Sequence, residues 1–417
     1  MGKQIVIIGA GVIGLAAAYY SAQRGHRVTV LERNPEARDG CSFGNNGMIV
    51  PSHFIPLAAP GMVVLGLKWM WNPRSPLYIK PRLDADLIDW GMKFWRSANA
   101  RHVTRSAPLI RDLSFASRAC FEELSELPGE DFGLTKRGLL MLCKSEHALE
   151  EEGKVAEAAR QLGVPAEVLN AKETAALDPG VTMDVAGAVY FPKDCHLSPV
   201  RLMATLKREL ARLGVQFAWE TEVTGFLQSG QGIEAVQTSR GDFPAEEVVL
   251  CTGAWSQKVA RELQLRLPMQ AGKGYSLTLP NPRQLPELCS ICTEARIAVT
   301  PMHGALRFGG TMEISGLNER INPERVRGII DGLQRYFPEF RESDFEGIEP
   351  WRGLRPCSPD GLPYLGRSGR IRNLVVATGH GMMGISLGPI TGKLVSQLVC
   401  GEKPEIDLAL LSPDRWG

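Results

Sequence analysis

The sequence predicts an α/β fold: a Rossmann-like nucleotide-binding domain built on a parallel sheet, joined to an α+β domain whose sheet is mainly antiparallel. Three observations carry this. The strand Gln4–Ile8 is a continuous apolar run, followed by a glycine turn, an Ala-rich helix to Arg24 and a second strand at Arg27–Leu31. The same strand–turn–helix order returns at residues 247–263, around Thr252, Gly253, Ala254 and Trp255. It returns once more at residues 374–398, where Ile390, Leu394 and Leu398 recur at helical spacing. Strands that are apolar without alternation suit a parallel sheet covered on both faces.

The remaining elements follow in order. A helix is expected over 197–209, with Ser198 as its cap and Pro199 at its first position, and a strand over 215–223. Amphipathic helices across 84–127 and 146–162, with strands at 138–143, 187–191, 275–279, 297–300 and 305–309, have a different character and make up the second domain. The expected division is 1–53, 197–263 and 350–417 for the nucleotide-binding domain, and 54–196 and 264–349 for the substrate-binding domain. A chain of 417 residues exceeds what one core usually serves, which agrees with two.

Composition excludes several classes. With 44% hydrophobic and 22% charged residues the chain is an ordinary globular one. A net charge of +1 without a run of Lys and Arg leaves no footprint for nucleic acid. Nine scattered cysteines fit reduced thiols in a cytoplasmic protein, and Cys289 and Cys292 lack the second ligand pair that a zinc site needs, so no metal is expected. The N-terminus shows no secretory pattern. Residues 41–67 carry no charge, but Pro51, Pro56 and Pro60 interrupt any transmembrane span. The apolar piece 61–71, followed by Pro73, Arg74, Lys80 and Arg82, is expected to cap the core. Peripheral contact with the inner face of the cell membrane is the other reading.

Gly9-Ala10-Gly11-Val12-Ile13-Gly14 follows a strand and opens a helix, and Glu32 closes the next strand, which is the setting of a dinucleotide fingerprint. Gly9 allows the tight turn, Gly11 lets backbone amides approach a pyrophosphate, Gly14 lets helix and strand pack, and Glu32 accepts from ribose hydroxyls. The motif serves NAD and FAD alike. A strip of small hydrogen-bonding residues at Cys41-Ser42-Phe43-Gly44-Asn45-Asn46-Gly47 suits an extended flavin. The turn Gly379-His380-Gly381-Met382-Met383-Gly384-Ile385 offers a second helix N-terminus where a reduced flavin gains negative charge.

With these motifs, and with Gly272-Lys273-Gly274-Tyr275-Ser276-Leu277, Gly353-Leu354-Arg355-Pro356 and the run from Pro359 to Gly366, the chain resembles the FAD-dependent amine and D-amino-acid oxidoreductases over nearly its whole length. The Lys273 and Ser42 segments look most like the D-amino-acid dehydrogenase branch. The resemblance implies FAD contacts from the first turn, from Glu32 and Arg33, and from Ser42, Asn45, Asn46, Gly47 and Met48. It implies further contacts from Val223 beside the adenine, from Thr252, Gly253 and Trp255, and from His380, Gly381, Met383, Gly384 and Ile385. Gly353 stands where some relatives carry a flavin-linking cysteine, so non-covalent FAD is expected.

The same resemblance makes Arg355 the clamp for a substrate carboxylate, since a guanidinium offers a planar fork. Arg352 and Arg307 are the alternatives to it. Tyr275 either turns its hydroxyl to that carboxylate or packs half-buried, and the backbone at Gly381 and Met382 receives the amine. His380 orders its loop rather than serving as a base, and His53 and Phe54 line an entrance. The implied reaction is oxidative deamination of a D-amino acid: hydride passes from Cα to flavin N5, the imine hydrolyses to keto acid and ammonia, and electrons go to a quinone or dye. An oxygen-using amine oxidase, a dehydrogenase for D-proline or D-hydroxyproline, an NAD enzyme and a flavin-bearing subunit that is inactive alone remain as alternatives.

Overall fold

The computed structural model describes residues 2–37, 40–69, 74–129 and 132–417. One sheet has six strands in the order Tyr364–Arg367, Leu374–Thr378, Glu247–Leu250, Gln4–Ile8, Arg27–Leu31 and Gln216–Ala218. Only the first is antiparallel to its neighbour. The helices Val12–Gln23, Pro199–Arg212 and Gly384–Val399 share one core on this sheet. The helix Ser256–Arg261 and a three-stranded meander of Val223–Ser229, Gly232–Thr238 and Gly241–Pro244 contribute to a second. Each fully buried aliphatic side chain, such as Ile390 or Leu394, contributes about 1.5–3 kcal/mol.

The other large sheet has nine strands, antiparallel throughout except where Cys289–Cys292 runs beside Leu139–Cys143 and Leu77–Ile79 beside Ala305–Ile314. Its longest strand, Gln270–Pro280, lies next to one edge, between Ala305–Ile314 and the edge strand Trp351–Cys357. Trp351–Cys357 therefore pairs in the second sheet, although the sequence division placed everything from 350 in the first domain. Its pairing of Gly353 against Gly274 brings two backbones together without a side chain between them.

Several local expectations are revised. The strand expected over 215–223 stops at Ala218, because Glu220 turns the chain with φ 53° and Val223 starts the meander. The stretch 84–127 is two helices, Ala85–Ser97 and Ala100–Ser125. Asp84 caps the first, and Asn99 breaks the run and caps the second by accepting from His102 N at 3.0 Å. Ser198 stands at its helix start without a side-chain cap bond. Residues 61–69 do not cap the core: on the helix Met62–Trp69 only Gly66 is buried, while Val64 is 72% and Leu67 59% exposed. Met70, Trp71 and Pro73 lie outside the described residues. No helix among the described residues is long and apolar enough to cross a membrane.

Glycines decide how closely the two ends of the chain meet. A Cβ on Gly392 would lie 2.4 Å from the carbonyl carbon of Ala16, and one on Gly388 2.8 Å from Val12, so the first and last long helices pack at backbone range. Beneath the sheet the buried carboxylate of Glu247 accepts from Lys3 Nζ at 2.8 Å and from both terminal nitrogens of Arg367 at 3.0 Å. Lys3 Nζ also donates to Val399 O at 2.7 Å.

Candidate active site

A cavity of about 450 Å³ lies where the parallel strands Gln4–Ile8, Glu247–Leu250 and Leu374–Thr378 end, the position at which α/β sheets bind ligands. Gly9 holds φ 103°, and a Cβ there would meet Cys251 O at 2.6 Å. A Cβ on Gly14 would sit 1.9 Å from Gly9 O, so the helix starts in backbone contact with the turn. Gly11 differs. Its φ of −71° is open to any residue, the nearest atom to a Cβ would be Ser42 Oγ at 3.6 Å, and it lines the cavity. The fold tolerates a side chain at Gly11; a ligand held against the turn would not.

At one end Glu32 is oriented on the wall by Ala10 N, which donates to one oxygen at 3.0 Å, and by Asn34 N and Nδ2, which donate to the other at 3.0 Å. Arg33 stacks on Trp255 with 3.7 Å from guanidinium carbon to ring centroid. Val223 lines the same end. In the middle, Ser42 Oγ accepts from Val12 N at 3.0 Å, and Ser42 and Asn45 face the cavity. The loop behind them is pinned from the antiparallel sheet. Arg307 donates to Phe43 O at 3.0 Å and Asn45 O at 2.7 Å, and Ser276 Oγ donates to Gly44 O at 3.0 Å.

The far end holds Arg355, Thr378, His380, Gly381, Gly384 and Ile385. The helix Gly384–Val399 begins there with neither a side-chain cap nor an acidic residue in its first turn, so its positive end is offered to an anion. His380 bonds Thr391 Oγ1 through Nε2 at 3.0 Å, and its Nδ1 is buried without a partner. Burial drives its pKa down to about 3, so the ring is neutral at physiological pH.

Arg355 is half-buried, and burial pulls its pKa below the ordinary value without discharging it. Its Nη1 donates to Thr311 O at 2.7 Å, and its guanidinium lies against Gly274, where a Cβ would fall 2.2 Å away. Among the described residues no carboxylate pairs with it. A cation on a cavity wall whose hydrogen-bond partner is a neutral carbonyl favours an anionic ligand. Carboxylate, glycine turn, polar strip, second helix N-terminus and cation together fit an extended FAD.

Of the residues singled out in the sequence, Gly9, Gly11, Val12, Ile13, Glu32, Arg33, Ser42, Asn45, Val223, Thr252, Gly253, Trp255, Arg355, His380, Gly381, Gly384 and Ile385 line this one cavity. Others support it from behind. Ala10 and Gly14 build the turn. Asn46 donates to Ala298 O at 3.1 Å, and Gly47 N donates to Asn45 Oδ1 at 2.8 Å. Met48 pairs with His196, and Met383 packs into the cores. Gly353 is covered by the Trp351 indole, which also covers Gly44. Tyr275 does not reach the cavity: it is fully buried and its hydroxyl donates to Glu313 at 2.8 Å. Met382 is half exposed, off the wall. Neither alternative arginine lines it either, Arg307 being spent on the loop and Arg352 pairing with Glu319. Phe54 is buried in the core, and His53 bonds Ser52 Oγ at 2.9 Å.

The wall also contains Cys41 from the head of the polar strip and Thr378 from the last glycine turn, and Thr221, Lys258 and Glu262, which the sequence reading did not single out. Lys258 and Glu262 are one helical turn apart after the Thr252–Trp255 turn, and that spacing alone would have marked a common face.

Comparison with known proteins agrees with this geometry. A family model described as FAD dependent oxidoreductase matches residues 4–398. The chain is 33% identical to a D-amino acid dehydrogenase of Bradyrhizobium diazoefficiens, covering 99% of each. It is 34% identical to one of Paramagnetospirillum magneticum, again over 99% of each. Among solved structures, glycine oxidase from Geobacillus kaustophilus superposes with a TM-score of 0.79 at 27% identity, over 99% of both chains.

Proposed function

Because this chain belongs to the FAD dependent oxidoreductase family, we propose that it holds FAD without a covalent bond and oxidatively deaminates small D-amino acids. The relatives named as D-amino acid dehydrogenases support the substrate class. The observation that carries the reading is Arg355, a cation on the cavity wall that no carboxylate among the described residues neutralises. Bound FAD supplies a two-electron acceptor for the hydride that leaves the substrate Cα. The residues do the rest: Arg355 fixes the carboxylate, the backbone at Gly381 receives the amine, and the glycine turn and both helix starts hold the anionic parts of the cofactor. The neutral amine keeps its lone pair for the new C=N bond and loses a proton to solvent, and water then converts the imine to keto acid and ammonia. The non-covalent part of this reading is supported by Gly353, which offers no thiol to the flavin.

An anaerobic absorbance spectrum tests this. Flavin bands are expected to bleach with a D-amino-acid mixture and not with its L counterparts, and the colour should leave the precipitated protein in acid. A colourless protein, or bleaching by neither mixture, overturns the reading.

The electron acceptor we propose is a membrane quinone, reached by peripheral contact. Val64, Leu67, Leu83, Ile88, Met92 and Trp95 are each at least half exposed, and the last three form one stripe of the helix Ala85–Ser97. Exposed Lys68, Lys80 and Arg96 flank them, a pattern that suits an anionic lipid surface. On its other side this helix is anchored by Trp90, whose indole donates to Cys357 O at 2.9 Å, two residues from Arg355. Trp95→Asp is expected to weaken co-sedimentation with anionic phospholipid vesicles about tenfold. Equal sedimentation of both proteins would exclude this face.

A further inference from the structure

The segment around Lys273 and Tyr275 was singled out in the sequence for a role at the substrate, yet neither side chain lines the cavity. Both turn instead to one buried carboxylate. Tyr275 Oη donates to Glu313 at 2.8 Å, and Lys273 Nζ lies 3.2 Å from the same group while also donating to Arg320 O at 2.7 Å. Arg325 approaches it at 3.8 Å and donates to Ser75 O at 2.9 Å. Lys273 and Arg325 are each 1% exposed and Glu313 6%. Burial alone would raise the pKa of Glu313, but Tyr275, Ser315 and Lys273 together outweigh it and lower it from the ordinary carboxylate value. A buried group of two cations and one anion is a costly arrangement, and packing does not explain it.

Its location does. Between the register pairs Lys273↔Glu313 and Tyr275↔Gly310, the single residue Gly274 stands opposite two, Thr311 and Met312. This is a β-bulge, a device that redirects groups beside active sites. Thr311 has φ 65°, unfavourable for a threonine, and its carbonyl is the one that accepts from Arg355 Nη1 at 2.7 Å. Gly274, the residue opposite the bulge, is the surface on which the guanidinium rests. The two residues flanking Gly274 therefore both bond the residue that closes the bulge.

We infer that Glu313, Tyr275 and Lys273 form a staple across this bulge and are positioning residues for Arg355, holding the Thr311 carbonyl and the Gly274 surface that aim the guanidinium at a substrate carboxylate. This rests on the reading of Arg355 given above. In the holoenzyme, Tyr275→Phe removes one hydroxyl from the staple, and Glu313→Gln removes its charge. The probe is propionate, a carboxylate without an amine, titrated by its perturbation of the flavin spectrum, alongside KM and kcat for the D-amino acid that bleaches the flavin fastest. Tyr275→Phe is expected to raise the dissociation constant of propionate and the KM by about 5-fold, with kcat falling less than KM rises and FAD content retained. Glu313→Gln should do more. Should Glu313→Gln fail to fold, Tyr275→Phe still decides. Propionate binding unchanged in Tyr275→Phe overturns the staple, provided that Arg355→Lys abolishes it. If Arg355→Lys also leaves it unchanged, the carboxylate reading of Arg355 falls, and the inference with it.

Discussion

Arg355→Lys is expected to lower kcat/KM for a D-amino acid by about 10²–10³-fold while the protein still folds and keeps its flavin. The guanidinium rests flat on Gly274 with one terminal nitrogen committed to Thr311 O, which leaves its remaining donors for the ligand. A lysine ammonium keeps the charge but loses the planar fork, and its stem does not reproduce the contact with Gly274. Two charge-assisted hydrogen bonds at about 1.5–3 kcal/mol each, partly replaced by one, account for a loss of that order. Steady-state kinetics with a dye acceptor measure it, and a change of less than about threefold would place the carboxylate elsewhere. Gly274→Ala approaches the same contact from below: its methyl would fall 2.2 Å from the guanidinium, so the same substrates should suffer although no charge has changed.

The second large effect separates two glycines of one motif. Gly11→Val should fold and purify colourless, whereas Gly14→Ala should not yield folded protein. At Gly11 the backbone is already compatible with an L-residue and a Cβ meets nothing closer than 3.6 Å, so the side chain enters only the space assigned to the cofactor. At Gly14 the added carbon lies 1.9 Å from the Gly9 carbonyl in a fully packed turn, a clash with backbone that rotamers cannot relieve. Far-UV circular dichroism and the ratio of flavin to protein absorbance report the two outcomes. The thermal midpoint of Gly11→Val should match that of wild-type protein stripped of FAD, since the holoprotein also carries the stabilisation of its bound ligand. A yellow Gly11→Val would mean that no ligand lies against this turn.

The sequence made some of this legible and not the rest, for definable reasons. Strands such as Gln4–Ile8 and Leu374–Thr378 are apolar on both faces and end in glycine turns, so their type and the ligand crevice were readable from local pattern. Arg355 was readable only through its Gly-Leu-Arg-Pro neighbourhood, because nothing in a lone arginine reports its surroundings. The meander from Val223 to Pro244 was missed. Its first strand is half exposed and broken by bulges, so neither a clean alternation nor an apolar run marks it. Tyr275 was read as a possible ligand to the substrate because the bulge opposite Gly274, which decides what its neighbours face, depends on residues 310–313 on another strand. The Trp351 indole over Gly44 and Gly353 joins residues three hundred positions apart and leaves no trace in either segment.

The carboxylate of Glu247, tied to Lys3 near one end of the chain and to Arg367 near the other, has a temporal meaning. Strand Gln4–Ile8 lies between Arg27–Leu31 and Glu247–Leu250, and the sheet gains its last two strands only from residues 364–378. The helix Val12–Gln23 waits longer still, for Gly388 and Gly392. On a ribosome adding roughly 5–20 residues per second, the first strands emerge tens of seconds before the partners that complete their sheet. Until then their apolar edge stands open, and it is in that interval that the nascent chain is most exposed to aggregation and most in need of a chaperone.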